Sequence, residues 1–413
     1  MKVAVIGAGV SGLSMAQCLK DYAQVKVFEK ESTPGGLIRC ERVSGNLFHI
    51  CGGHVFNSKR QDVLDWFWNF FDRENEFTKA DRNSAVAMTE GEFLPYPIEN
   101  HAYLFAPEMM KSFIHDLVVL ARSEGEEPAN FEEFLRGRFG ETLYQVYFKP
   151  YNEKVWRRDL KKVPLSWLEG KLPMPTVEEM IYNNMNHVKE KAFVHSSFWY
   201  ARKDGSQFLA NRLAQNLDIE YNSDICRIER VSDGWSVNGC VFDKVVFCGN
   251  IKSLPKIIKG VEMGGFISQI DSLESHGTTS VFCEIDKNPY SWVYMPSSAY
   301  QSHRIICTGN FSSTNNMDGK MTGTIEFTDK IDKEEIKDNL KRVPFAPKYL
   351  AHKYNQYTYP IQDANTREMI AHFKQLMEGQ GVYLTGRFAD WEYYNMDVAI
   401  GASLDSFHKI ITE

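Results

Sequence analysis

The first stretch of the chain alternates between two kinds of order. Residues 2–6 are a short apolar run, a glycine-bearing stretch follows, and residues 13–19 carry apolar side chains at helical spacing. This predicts a strand, a tight turn and a helix, with a second strand over 25–28. Strand-like segments return at 47–50 and through 193–250, where 241–248 reads as one buried strand closed by Gly249 and Asn250. Residues 107–191 are instead rich in Glu, Leu, Phe, Lys and Met at helical spacing, predicting helices over 109–124, 131–147 and 177–191. From 278 to 359 the runs 280–285, 304–308 and 323–327 are separated by Asn, Gly, Ser and Asp turns, as in an antiparallel sheet. The end reads as a strand over 381–385 and a helix over 398–407. The expected class is α/β: a discontinuous dinucleotide-binding Rossmann domain (1–100, 193–260 and 365–413), a helical insertion (101–192) and an antiparallel β-sheet substrate domain (261–364).

Length agrees with more than one unit, since 413 residues exceed what a single core usually holds. The formal net charge of −7 argues against broad binding of a phosphate backbone, so no nucleic-acid partner is expected. The eight cysteines form no CxxC pair and several sit in apolar runs, so all are read as reduced core thiols, and no metal site is expected. The first strand starts at once, leaving no room for a signal peptide. No apolar run approaches the roughly 18 residues of a membrane span. A soluble, cytoplasmic protein is expected.

The candidate chemistry begins at the first turn, Gly7-Ala8-Gly9-Val10-Ser11-Gly12. Gly7 permits the turn, Gly9 lets backbone approach a pyrophosphate, and Gly12 lets the helix pack on the strand, with the helix N-terminus facing the phosphates. Glycines alone are weak evidence. Glu29, seventeen positions after Gly12 at the end of the second strand, can accept both hydrogen bonds of an adenosine ribose. After five further residues come Gly35 and Gly36, a second small-residue loop close to the phosphates. This acidic-to-GlyGly extension resembles the glutathione-reductase-like FAD domain. Gly386-Arg387 and the following tyrosines resemble the C-terminal strand, loop and helix that cover the flavin in that class. FAD is the expected cofactor.

Two other segments carry candidate groups. Gly52-Gly53-His54-Val55-Phe56 places one titratable ring on a flexible turn. Lys149, Lys154, Arg157, Arg158, Lys161 and Lys162 crowd into fourteen residues of an acidic chain, together with Tyr151 and Trp156. The cluster suits an anionic substrate, and a solvated helix end is its bland alternative. Arg304 at the start of a strand and a tyrosine set, Tyr354, Tyr357, Tyr359, Tyr393 and Tyr394, favour the first reading. Phenols donate to phosphate oxygens while their rings stack.

Together these pieces resemble the UDP-galactopyranose mutase family over nearly the whole chain. That family carries an N-terminal GxGxxG, a Gly-x-His-x-Phe loop, a Lys-Gly-Tyr-Thr-x-Lys-x-Trp segment, and a C-terminal Gly-Arg followed by Tyr and Met-Asp. The matches are Gly7 to Gly12, Gly52 to Phe56, Lys149 to Trp156, Tyr359-Pro360 and Gly386 to Asp397. The resemblance implies an isomerase of cell-surface polysaccharide synthesis that interconverts pyranose and furanose forms of a nucleotide-activated sugar such as UDP-galactose. It further implies non-covalent FAD, active when reduced, with flavin N5 as nucleophile, an external reductant such as NAD(P)H, and room for a homodimer. Transferred residue by residue, it gives His54, Lys171 and Arg304 catalytic roles. Cofactor binding falls to Gly7, Gly9, Gly12, Glu29, Gly35, Gly36, Gly53, Arg387, Met396 and Asp397. Substrate binding falls to Tyr151, Asn152, Trp156, Lys171, Arg304, Tyr359, Tyr393 and Tyr394. The chain departs from the family at Pro150 and Asn152, which replace Gly and Thr, and at Lys171-Leu172-Pro173, which replaces Arg-Ile-Pro. Amine oxidases and protoporphyrinogen oxidases share the FAD domain, so a redox enzyme is the alternative.

Overall fold

A computed structural model describes residues 1–89, 91–123, 127–165, 174–188, 197–317 and 319–412. At its centre lies a five-stranded parallel sheet in the order Val382–Leu384, Lys244–Phe247, Lys2–Ile6, Gln24–Phe28, Asp218–Glu220. Val3, Ala4 and Val5 are wholly buried, as expected of a parallel strand covered on both faces. Helices Val10–Leu19, Gly205–Leu213 and Met396–Thr412 pack on one face. On the other lie a four-stranded sheet and helices Phe266–Ser272 and Thr366–Glu378. Residues 266–272, assigned to the sheet domain by sequence, therefore share a core with the parallel sheet.

The run 241–248 is two strands and not one. Cys240–Phe242 pairs in the four-stranded sheet and Lys244–Phe247 in the parallel sheet. Asp243 makes the change of direction, its N–H bonded to Lys2 O (2.9 Å) and its carboxylate accepting from Lys2 N–H (2.6 Å).

The described residues of 107–185 are largely helical, and two of their features differ from the expected helices. Pro107–Arg122 is one amphipathic helix, and Asn130 caps the next, Phe131–Leu143, by accepting from Glu133 N–H (3.0 Å); this second helix is kinked at Gly140, which has φ +82°. The chain then widens into a π turn, Tyr144–Phe148, and continues as the helix Lys149–Trp156. Pro150 has no N–H to give and its ring crowds the preceding turn, which accounts for the local unwinding. The helix Val177–Met185 opens on a Thr176/Glu179 capping box and stops short of the expected 191. Asn184 and Asn186 near its end bond backbone carbonyls, competing with the helix.

The second large sheet has seven strands: Lys348–Pro360, Ser275–Ile285, Met321–Thr328, Arg304–Ile306, Trp292–Tyr294, Ser84–Thr89 and Glu92–Pro95. It is antiparallel except where Trp292–Tyr294 runs parallel to Ser84–Thr89. Residues 84–95, placed with the first domain by sequence, thus form the edge of this sheet. All eight cysteines are free, but Cys226 and Cys240 are exposed and so are not core thiols. Among the described residues no helix is long and apolar enough to cross a membrane, and no cluster of His, Cys, Asp or Glu could hold a metal.

Candidate functional site

The glycine turn is shaped by close approach. Gly7 has φ +104°, and a Cβ on Gly12 would lie 1.9 Å from Gly7 O, so helix and turn meet only through glycine. Gly36 faces Gly9, where a Cβ would come within 3.2 Å of Gly9 Cα, and Gly9 bridges Gly35. Glu29 is buried, its Oε2 accepting from Ala8 N–H (2.6 Å) and its Oε1 from Glu31 N–H (3.0 Å). Both oxygens retain lone pairs for a ribose.

The C-terminal segment closes over this turn. Gly386, at φ +116°, lies against Ser11, and Ser403 Oγ donates to Ser11 O (3.0 Å), joining the last helix to the first. Met396 is buried at the start of that last helix, and burial raises the pKa of Asp397 beside it. Arg387 is a brace: it donates to the Tyr394 carbonyl and to Thr358 O (3.2 Å), and its guanidinium lies 4.6 Å from the Tyr393 ring centroid.

The loop 52–56 sits between the two sheets. A Cβ on Gly53 would lie 2.6 Å from Ile306 Cγ2, so a larger residue here would have to displace that side chain. Burial, then the charge of Arg387, pulls the His54 pKa down to about 4, so its imidazole is neutral at neutral pH. Nothing among the described residues pairs with its Nε2. His49, also buried, bonds the Tyr200 hydroxyl (2.9 Å) and Ser206 Oγ (3.1 Å), and burial lowers its pKa to about 3.

Arg304 and Glu326 face each other across neighbouring strands. Arg304 Nε donates to Glu326 Oε2, and its Nη2 donates to the Tyr359 hydroxyl (3.1 Å). Tyr359 in turn stacks on Tyr393, centroids 5.4 Å apart and planes 2° from parallel. Tyr151 completes the ring of phenols around Arg304, packed edge-on against Tyr294 and His303. Burial opposes the charge of the wholly buried Glu326, yet Arg304 and His303 hold its carboxyl well below the ordinary range. Arg304, Tyr151, Tyr359, Tyr393 and His54 are all half-buried, so the cluster opens to solvent.

Several sequence-singled residues lie elsewhere. Asn152 is buried and donates to Phe148 O in its own helix (2.7 Å). Trp156 lies in the core of the insertion, and its carbonyl accepts from His276 (2.6 Å). The Tyr394 hydroxyl bonds Asp390, and Tyr354 and Tyr357 are exposed, apart from Tyr359. Lys171 lies outside the described residues. Lys154 is no free cation: it donates to Met295 O (2.7 Å), Ser297 O (2.6 Å) and Ser302 O (3.4 Å). Sequence reasoning passed over Glu326. Its only signal was an acid inside an otherwise neutral strand.

Taken together, these features define an α/β protein with a Rossmann-like parallel sheet and glycine turn, a helical insertion and a second, mainly antiparallel sheet. Residues 5–73 match the NAD(P)-binding Rossmann-like domain family. Over nearly its whole length the chain is similar to UDP-galactopyranose mutases. The one from Mycoplasma genitalium is 20% identical, covering 99% of this chain and 95% of its own, and the one from Mycoplasma pneumoniae is 21% identical, covering 98% and 95%. The structure of a reduced UDP-galactopyranose mutase superposes with a TM-score of 0.88 at 21% identity, over 100% of this chain and 94% of that one. A putrescine oxidase with bound putrescine superposes less well, at 0.67 and 14% identity, over 100% of both chains.

Proposed function

We propose that the chain is an FAD-dependent isomerase that interconverts the pyranose and furanose forms of a nucleotide-activated sugar such as UDP-galactose. The observation that carries this reading is the half-buried Arg304 guanidinium, ringed by Tyr151, Tyr359 and Tyr393 and near a second guanidinium, Arg387. Cations and phenols attract a diphosphate through charge-assisted hydrogen bonds. An amine, the substrate class of the oxidase alternative, would meet repulsion there unless it shed its proton.

The cradle of Gly7, Gly9, Gly12, Gly35 and Gly36, with Glu29 at the ribose end, fits FAD. Gly53, Arg387, Met396 and Asp397 would hold its ring. Held non-covalently and reduced, FAD would supply nucleophilic chemistry at the sugar's anomeric carbon. The chain's own residues do the rest. Arg304 and the Tyr359 hydroxyl hold the diphosphate and receive the negative charge that grows as the anomeric C–O bond breaks. Tyr151 and Tyr393 bound the same space. Neutral His54 adds no charge there, and its buried Nε2 has no hydrogen-bond partner among the described residues. Lys171 supplies a further cation, Asn152 and Trp156 shape the helix behind Tyr151, and Tyr394 fixes Arg387. A cytoplasmic setting, a reductant such as NAD(P)H, and a homodimer complete the proposal.

The test incubates dithionite-reduced protein with UDP-, dTDP- and GDP-hexoses and resolves pyranose from furanose products. Conversion by reduced protein alone supports the reading. Oxygen-consuming turnover of an amine or a porphyrinogen, with no isomerisation of any sugar nucleotide, overturns it.

A further inference from the structure

Glu326 is the one acid in its strand and it is wholly buried, which is costly for a carboxylate unless both oxygens are used. They are used on two sides. Oε2 takes the hydrogen bond from Arg304 Nε, and Oε1 takes the N–H of Gly52 at 2.9 Å. Gly52, at φ +68°, begins the turn that carries Gly53 and His54. The third neighbour, His303 Nε2, stands 3.7 Å from Oε2, and burial lowers its pKa, so the charge opposite Glu326 is that of Arg304. Arg304 in turn donates through Nε to Glu326 and through Nη2 to Tyr359, and it stands among Tyr151, Tyr359 and Tyr393.

We propose that Glu326 is a positioning residue that holds two halves of the site in register, aiming Arg304 at the anionic group of the substrate while gripping the Gly52 turn beside the cofactor. The assignment of substrate and cofactor rests on the function proposed above. A carboxylate suits the task because it presents two acceptors. A glutamine in the same place satisfies either Arg304 or Gly52 and turns an N–H against the other.

Glu326→Gln and Glu326→Asp, both prepared as FAD-loaded protein, are compared with the parent by UDP titration and by the visible spectrum and midpoint potential of the flavin. Glu326→Gln is expected to keep its flavin while UDP affinity falls at least tenfold and the flavin potential and spectrum shift. Glu326→Asp, which keeps the charge on a shorter arm, falls between. Parent-like UDP affinity and an unmoved flavin in Glu326→Gln overturn the proposal. If that variant does not fold, a Glu326→Asp protein indistinguishable from the parent does so. Should the parent bind none of UDP, dTDP and GDP, the functional reading fails. The positioning role is then judged on the flavin alone, where an unshifted potential in both variants ends it.

Discussion

Gly36 meets Gly9 so closely that a methyl group on Gly36 would stand 3.2 Å from Gly9 Cα. Gly36 also has φ +54°, a region that costs an ordinary residue about 1–2 kcal/mol. Gly36→Ala is therefore expected to push the two backbones apart and to purify with a flavin-to-protein absorbance ratio lowered several-fold. Gly265→Ala, where a Cβ meets nothing within 4 Å, serves as the control and keeps its flavin.

Tyr359 touches both Arg304 and Tyr393, by hydroxyl and by ring. Tyr359→Phe preserves the stacking and removes the hydroxyl, which accepts from Arg304 Nη2 and is the proposed donor to the diphosphate. A hydrogen bond to a charged group contributes about 1.5–3 kcal/mol, so kcat/KM for sugar-nucleotide isomerisation is expected to drop on the order of 10- to 100-fold, with flavin content unchanged. An unaltered kcat/KM would remove Tyr359 from the substrate side.

The buried histidines make the fold acid-sensitive. The folded pKa of His49 is about 3, below its ordinary 6.5, because burial disfavours the charged ring, and His54 follows the same direction at about 4. The folded state thus binds fewer protons than the unfolded chain below pH 6.5. The stability these rings contribute is complete above that pH and is lost as pH falls toward the folded values. Melting temperature is expected to decline between pH 6.5 and 4, with His49 accounting for up to ~3 kcal/mol. His49→Gln should flatten the decline, and an equal slope in that variant would show that other groups carry it.

Which parts of this arrangement could be read from the chain depends on how local the chemistry is. Gly7 to Gly12, Glu29 and Gly35-Gly36 act through backbone conformation and short spacing, so sequence alone exposes them. The Arg304–Glu326 pair is formed by strand register, and every position of Met321–Thr328 is buried, so no alternation marks the acid. Lys154 looked like a solvated or substrate-facing cation because its three carbonyl partners lie in a loop well over a hundred residues away. The break at Asp243 was hidden for a similar reason, since its partner is Lys2. Tyr359 separates from Tyr354 and Tyr357 only once the strand is placed against Arg387 and Arg304.

Lys154 supports a last prediction. Its ammonium ties the helix Lys149–Trp156 to the loop around residues 295–302, and that helix carries Tyr151 beside Arg304. Burial lowers the Lys154 pKa to about 7, while the three carbonyls favour the charged form that donates to them. Lys154→Met keeps the length of the arm and removes the donors, leaving partly buried carbonyls without this partner at a cost of about 1–3 kcal/mol. Urea unfolding should register that loss. UDP should bind roughly tenfold more weakly as Tyr151 loses its anchor, an amount equal to about 1.4 kcal/mol. The glycine cradle is untouched, so flavin content should hold. A variant that is destabilised yet binds UDP as the parent does would mean that the tether supports the fold without aiming Tyr151.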